Sequence, residues 1–523
     1  MRSLFARAKE WLSVAREFDV APLQGIATQS QPADLPELAL SLASPDRATQ
    51  EAAAQAAKVL LDRLAPRDYV WLDQAVRQRT PYGYPYSSLD EKDLVRFGDL
   101  GEAAPAGWGL ASLHWNGYVR EEAVKFLAGV STGAELPFLL LRLNDWVEPV
   151  RAAALQAVEA RLQPDGAAPF FRFLPLVLRL GQTERHTNGE IASRIESFLE
   201  APENAHLLAE NRLSSDREIR RACFRLTFEK ALDDPWDALG DALRANDPIV
   251  RLWAARAAST LPASPDLRDF FDRLTRDRFV PVRALAFEAF DDLFPDEARK
   301  GAALLDSAAS IRDDARRRLS QEERIDFASL YRKALAEGTD AQLQAALGGL
   351  GETGDAPDSS DLLRFLAHPK PKIRRTAIRT IYKLSRGEHS AAFEQAILDD
   401  SPSVSAEARD ALLRRAGLLD PRKLWDRLES DERPHVRKNI LLLLDHGGKW
   451  DRLFHLLRAT SDRDPALASF ARYLLEGWAS SFNRSCIAPT PEQLAGVDKL
   501  LERLGPSFRW LDSYLATFRP RPL

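Results

Sequence analysis

An all-α array of repeated helical hairpins is the fold class the sequence predicts, and three observations carry that prediction. Apolar residues recur at i, i+3, i+4 and i+7 in segment after segment, the period of one helix face, and β-branched runs with strict alternation do not occur. One phrase returns along the chain: a leucine-rich run, a polar corner with Asp and often Pro, then a β-branched residue, Arg and an alanine-rich run. Its clearest copies read LLLRLNDWVEPVRAAALQAV, LGDALRANDPIVRLWAARAA, FFDRLTRDRFVPVRALAFEAF, LLRFLAHPKPKIRRTAIRTI and LWDRLESDERPHVRKNILLLL. The β-branched residue before the Arg falls at Val119, Val150, Ile219, Val250, Val282, Ile311, Ile373 and Val436, with Val404, which precedes Ser405, and Leu467 in phase, so successive gaps over the ten are 31, 69, 31, 32, 29, 62, 31, 32 and 31 residues.

Taken in order, residues 1–64 read as an N-terminal cap helix and a first hairpin. The opening MRSLFARAKEWLSVAREF is amphipathic, but Glu10 and Glu17 interrupt it and no cleavage site follows, which favours a helix of the fold over a targeting segment. Residues 65–107 break the period and read as an aromatic-rich insertion. Residues 108–478 carry the array. Its gap of 62 is two periods with Leu343 near the middle, and its gap of 69 is filled by a weak copy around GEIASRIESFL, giving about 12 or 13 hairpins in all. Pro149, Pro248, Pro281, Pro371 and Pro434 sit at the corner, where a missing N–H costs nothing and the fixed φ suits helix entry. Residues 479–523 read as a non-repeating C-terminal cap, since a solenoid needs atypical end units.

The unit resembles the HEAT repeat, in particular the short bacterial form of phycobilin-lyase-like proteins, on the strength of the corner chemistry and the Val-Arg that opens the second helix. The resemblance covers most of residues 35–478. It implies an α-α superhelix whose second helices line a concave face. It also implies a structural Asp-to-Arg ladder, here Arg120, Arg151, Arg220, Arg251, Arg283, Arg312, Arg374 and Arg437 beside the corner acids Asp145, Asp216, Asp247, Asp277 and Asp431.

Composition bounds the function. The 523 residues are 45% hydrophobic and 28% charged with a net charge of −5, which excludes wholesale disorder and any global field that would gather nucleic acid. Arginine outnumbers lysine, 58 to 14, as a GC-rich bacterial genome would produce. Two cysteines, Cys223 and Cys486, exclude a disulfide scaffold and fit a reducing cytoplasm. No segment approaches the roughly 20 apolar residues of a membrane span. The eight histidines form no HxxxH or HExxH pattern, and GGLGETGD near Gly348 lacks the strand and Lys of a phosphate loop, so neither metal, cofactor nor catalytic residue is expected.

Two constellations remain. Nine aromatics lie between Tyr69 and Tyr118, and of these Trp71, Tyr82, Tyr84, Tyr86, Trp108 and Trp115 form a candidate partner-binding set, because Tyr and Trp anchor interfaces at small entropic cost. Local packing is the competing reading. From residue 369 to 387 there are seven bases and no acid, and Lys372, Arg375, Arg379, Lys383 and Arg386 fall within a strip of about 80° on a helix. Such a strip could hold phosphates or an acidic partner, or be a solvated face. The sequence thus predicts a non-enzymatic protein-binding scaffold or adaptor in the cytoplasm, working through the concave surface and the aromatic insertion. The alternative is a nucleic-acid-binding HEAT protein using residues 370–386, including a DNA glycosylase-like activity with Trp146 and Asp145.

Overall fold

The computed structural model describes residues 31–79, 89–183, 186–229, 235–320 and 325–519, and among them every regular element is a helix. The amphipathic N-terminal stretch and the Tyr82, Tyr84 and Tyr86 run lie outside the described residues. The chain divides into two compact units, Met1–Leu267 and Arg268–Leu523.

Each unit is a row of antiparallel helix pairs. In the first, Leu35–Ser41 pairs with Arg47–Asp62, Ala104–Ala111 with Gly117–Ala128, Leu136–Arg142 with Glu148–Glu159, and Trp236–Arg244 with Pro248–Ala258. In the second, Phe327–Glu337 pairs with Asp340–Thr353, Ser390–Ala396 with Pro402–Leu413, Pro421–Ser430 with Pro434–Leu444, and Lys449–Ala459 with Pro465–Ser480. Second helices of consecutive pairs pack side by side: Gly117–Ala128 on Glu148–Glu159 in one unit, and Asp340–Thr353, Pro371–Ser385, Pro402–Leu413 and Pro434–Leu444 in succession in the other. This is HEAT-type α-solenoid packing, in which each hairpin buries its apolar faces only against its neighbours.

The reason lies in the repeated phrase. Val119, Val150, Ile219, Val250, Val282, Ile311, Ile373, Val404, Val436 and Leu467 are all buried, each in the first turn of a second helix. Full burial of a residue of this size is worth about 1.5–3 kcal/mol, and the phase of these residues fixes which face of the helix turns inward. Corner prolines occupy the first or second helical position, and the aspartates Asp247 and Asp464 accept the amide hydrogens of Ile249 and Ala466 as N-caps. The gap of 69 is explained by a broken first helix, Ala167–Arg172 then Leu174–Gly181 with Pro175 in its first turn, followed by the second helix His186–Leu199.

Within residues 65–107 the helix Asp68–Arg79 packs on Leu35–Ser41 and Leu136–Arg142. Tyr69 is its buried anchor, edge-on to Phe138 and Phe173 with its hydroxyl donating to the Leu61 carbonyl at 3.1 Å. At the other end of the chain the helix Pro491–Leu504 packs on Lys449–Ala459. There Trp450, Trp478, Phe482, Tyr514 and Phe518 interlock edge to face.

Candidate interaction surfaces

The corner arginines show what the repeat does with its charges. In seven repeats the Arg donates through Nη1 to the carbonyl six residues earlier: Arg120 to His114, Arg151 to Asp145, Arg220 to Ser214, Arg251 to Ala245, Arg283 to Asp277, Arg312 to Asp306 and Arg374 to His368. Those carbonyls lie in the corner one to three residues past the preceding helix, where an intrahelical donor is lacking. In Arg120, Arg283, Arg374 and Arg437 the guanidinium also reaches forward to an acid at the next corner. Arg283 grips Asp306 at 3.0 and 2.9 Å, Arg374 grips Asp399 at 2.7 and 2.7 Å, and Arg437 grips Asp462 at 2.7 Å.

The ladder expected from the sequence is corrected in its pairings. Asp431 pairs with Arg433, while Arg437 reaches on to Asp462, and it is Arg221, beside Arg220, that holds Asp247. Asp216 accepts the Glu218 and Ile219 amides, and Asp277 accepts that of Phe279. Sequence cannot separate these pairings because an acid six residues before one Arg is also about 25 residues after the last.

The corner at Asp145 is more elaborate. Arg120 donates to both of its oxygens at 2.8 and 2.7 Å, Arg142 adds a third bond at 3.0 Å, and the Val147 amide a fourth. Burial acting alone would raise the Asp145 carboxyl, but the bond from Arg120, the charge of Arg142 and the Val147 amide outweigh it and hold the group below the usual carboxylate range. The helix Asp68–Arg79 contributes Asp73, which binds Arg142 at 2.6 Å and Arg77 at 3.0 Å. Trp146, next in the chain, has Arg77 and Arg120 at 4.3 and 4.4 Å from its ring centroid yet remains 62% exposed.

Of the aromatic set, Trp71 is 44% exposed on the outer side of its helix. Trp108 is packed: it stacks on Phe126 with 5.2 Å between centroids and donates to the Leu94 carbonyl at 2.9 Å. Trp115 is half-buried at the corner beside His114. Tyr82, Tyr84 and Tyr86 lie outside the described residues. Sequence reading gave less weight to Tyr118 and Trp146, both exposed; the signal was an aromatic beside a corner polar residue, where the chain turns outward.

The basic strip is narrower than its spacing suggests. Lys372, Arg375, Arg379 and Lys383 lie on the helix Pro371–Ser385, but Arg386 is its left-handed C-cap at φ 50° and leaves the strip. Arg379 is held by Glu407 from the following hairpin at 2.9 and 2.6 Å, and Lys370 by Asp340 at 2.8 Å. Lys372, Arg375, Lys383 and Arg386 make no ion pair among the described residues.

Burial keeps two titratable groups of the helix interiors uncharged. Burial raises the Cys223 thiol to about 12. Burial lowers His455 to about 4, and its Nδ1 accepts from Trp425 at 2.8 Å. Among the described residues no cluster of His, Cys, Asp or Glu could hold a metal ion, and no helix is long and apolar enough to cross a membrane.

No protein-family model and no curated protein matches the sequence. Among solved structures the chain is similar to importin beta crystallised in ammonium sulfate, with 14% identity, a TM-score of 0.36 and coverage of 92% of this chain and 73% of that one. Yeast importin-beta, Kap95p, gives 12%, 0.31, 95% and 76%. The karyopherin Kap121p bound to the extreme C-terminus of the phosphatase Cdc14p gives 12%, 0.33, 95% and 56%, so the chain spans about half of that protein. Similarity at this level transfers neither function nor partner.

Proposed function

We propose that the chain is a protein-interaction scaffold of the short bacterial HEAT type, cytoplasmic, that holds a protein partner through exposed rings of its first unit, Trp71, Tyr118 and Trp146. The observation that carries this reading is the contrast at the Asp145 corner: the ionisable groups are locked into structure while large aromatic rings stand in solvent. Exposed Trp and Tyr on rigid elements are what interface anchors require. Tyr82, Tyr84 and Tyr86 belong to the same proposal on sequence grounds. A pull-down with the wild-type chain and with Trp71→Ala and a Tyr82, Tyr84, Tyr86→Ala triple variant tests it. A specific partner lost in either variant supports the reading, and a partner set indifferent to both overturns it.

A second reading rests on Lys372, Arg375 and Lys383, with Arg386 at the helix end, which make no ion pair among the described residues; it makes this face a site for nucleic acid. Binding would then fall steeply with salt, and Lys372→Glu with Lys383→Glu would abolish it in an anisotropy titration. The glycosylase-like form of this reading loses support, because every Asp145 oxygen is already bonded and the side chain is buried.

A further inference from the structure

Three rungs of the ladder balance one guanidinium against one carboxylate, Arg283 with Asp306, Arg374 with Asp399 and Arg437 with Asp462. The Asp145 corner does not. Arg77, Arg120 and Arg142 share only Asp73 and Asp145, and no other acid among the described residues lies within ion-pair distance of them. One positive charge is left over in a place where Arg120 and Arg142 are almost wholly buried. His114 beside them stays neutral, since burial and the charge of Arg120 lower it to about 4. Two guanidinium nitrogens, Arg77 Nη1 and Arg142 Nε, are buried without a hydrogen-bond partner. An unbalanced buried charge with idle donors is costly unless a further anion approaches.

The surface above this cluster is built to receive one. Trp146 covers Arg77 and Arg120 and is 62% exposed, and Tyr118, in the first turn of the helix whose Gly117 abuts Val147, is also exposed. We propose that this corner is a docking point for an acidic segment of a protein partner, in which one carboxylate lies against the accessible edge of Arg77 and a neighbouring apolar side chain lies on Trp146; the proposal rests on the scaffold reading above. The charge argues for a carboxylate over a nucleic-acid backbone. A polyanion needs several exposed cations, and here only Arg77 keeps any exposure, with a side chain 18% accessible. Residues 80–88, which follow Arg77 and its helix, contain no acid.

The test uses the full chain and a fluorescein-labelled peptide of alternating Glu, Asp and Leu, with its Gln, Asn and Leu twin as control, followed by anisotropy at low and at physiological salt. The acidic peptide is expected to bind and its amide twin to bind at least about tenfold more weakly. Trp146→Ala and Arg77→Gln should each weaken the acidic peptide about tenfold, while Trp510→Ala, an exposed ring in the C-terminal part, leaves it unchanged. Trp146→Ala removes a mostly exposed ring and keeps the fold, so its result stands even where Arg77→Gln perturbs Asp73. Failure of the wild type to bind, equal binding of the twin, wild-type affinity in Trp146→Ala, or displacement of the peptide by a single-stranded oligonucleotide overturns the proposal. A protein partner that Trp146→Ala still captures defeats this docking point and leaves the scaffold reading intact.

Discussion

The corner at Asp145 in the first unit and the corner at Asp399 in the second begin from the same sequence device. In both, an Arg six residues past the corner of its own repeat ties back to that corner's carbonyl and forward to the next corner's Asp. They differ in what surrounds the rung. Arg374 and Asp399 form a partly exposed pair of one base and one acid, whereas Arg120 and Asp145 are sealed from solvent and drawn into a five-member cluster by the helix Asp68–Arg79. The same motif is thus a simple staple in one place and, with one added helix, a buried network with charge to spare in another.

The most severe way to break the comparison is Arg120→Ala. Removing one member of a buried pair should cost about 3–5 kcal/mol in urea unfolding, against about 1–3 kcal/mol for Arg374→Ala, whose partner can turn to water. Equal losses would show that burial does not distinguish the two rungs.

Acid comes next. His114 in the first unit and His455 in the second are both lowered by burial to about 4 from an ordinary 6.5. Each is depressed in the folded state, so its contribution is fully present above pH 6.5 and is lost as pH falls toward 4. Each group accounts for about 3 kcal/mol at most across that window. Unfolding midpoints followed from pH 7 to pH 4 should fall, and His455→Gln should flatten the fall attributable to the second unit.

Packing gives a smaller effect. A Cβ at Gly109 would lie 2.3 Å from the Phe138 ring, and one at Gly349 would lie 2.3 Å from the ring of Tyr331. Gly109→Ala and Gly349→Ala should each cost about 1–3 kcal/mol, read as a lower midpoint of thermal unfolding. Smallest of all, Lys372→Glu with Lys383→Glu touches only exposed side chains and should shift stability by no more than about 0.5 kcal/mol. A larger shift would mean the basic face is structural.

The sequence carried the hairpin period because burial is strict at one position: Val150, Val250, Ile373 and Val436 cannot be polar where they sit. It carried the arginines for the same reason. It left the partners of those arginines ambiguous, since in a repeat of about 31 residues the acid behind one Arg is also the acid ahead of the previous one. It overweighted Trp108, whose indole N–H finds the Leu94 carbonyl across a 14-residue separation that no local pattern predicts. And it read seven bases without an acid as a charged strip, although Asp340, Asp399 and Glu407 come from neighbouring hairpins to neutralise three of them.

One absence in the ladder has a mechanical meaning. Arg151 makes the backward bond to the Asp145 carbonyl but no ion pair among the described residues, and the next stretch holds the broken helix at Phe173. A pull along this unit would therefore meet a lighter clasp there, the exposed Arg194–Glu159 pair and the Asn188–Asn144 bond in place of a corner rung, before the rung from Arg221 to Asp247 beyond it. Within this unit the hairpins around residues 160–200 should be the ones whose amides exchange early, as a chain gives first where its rivets are lightest.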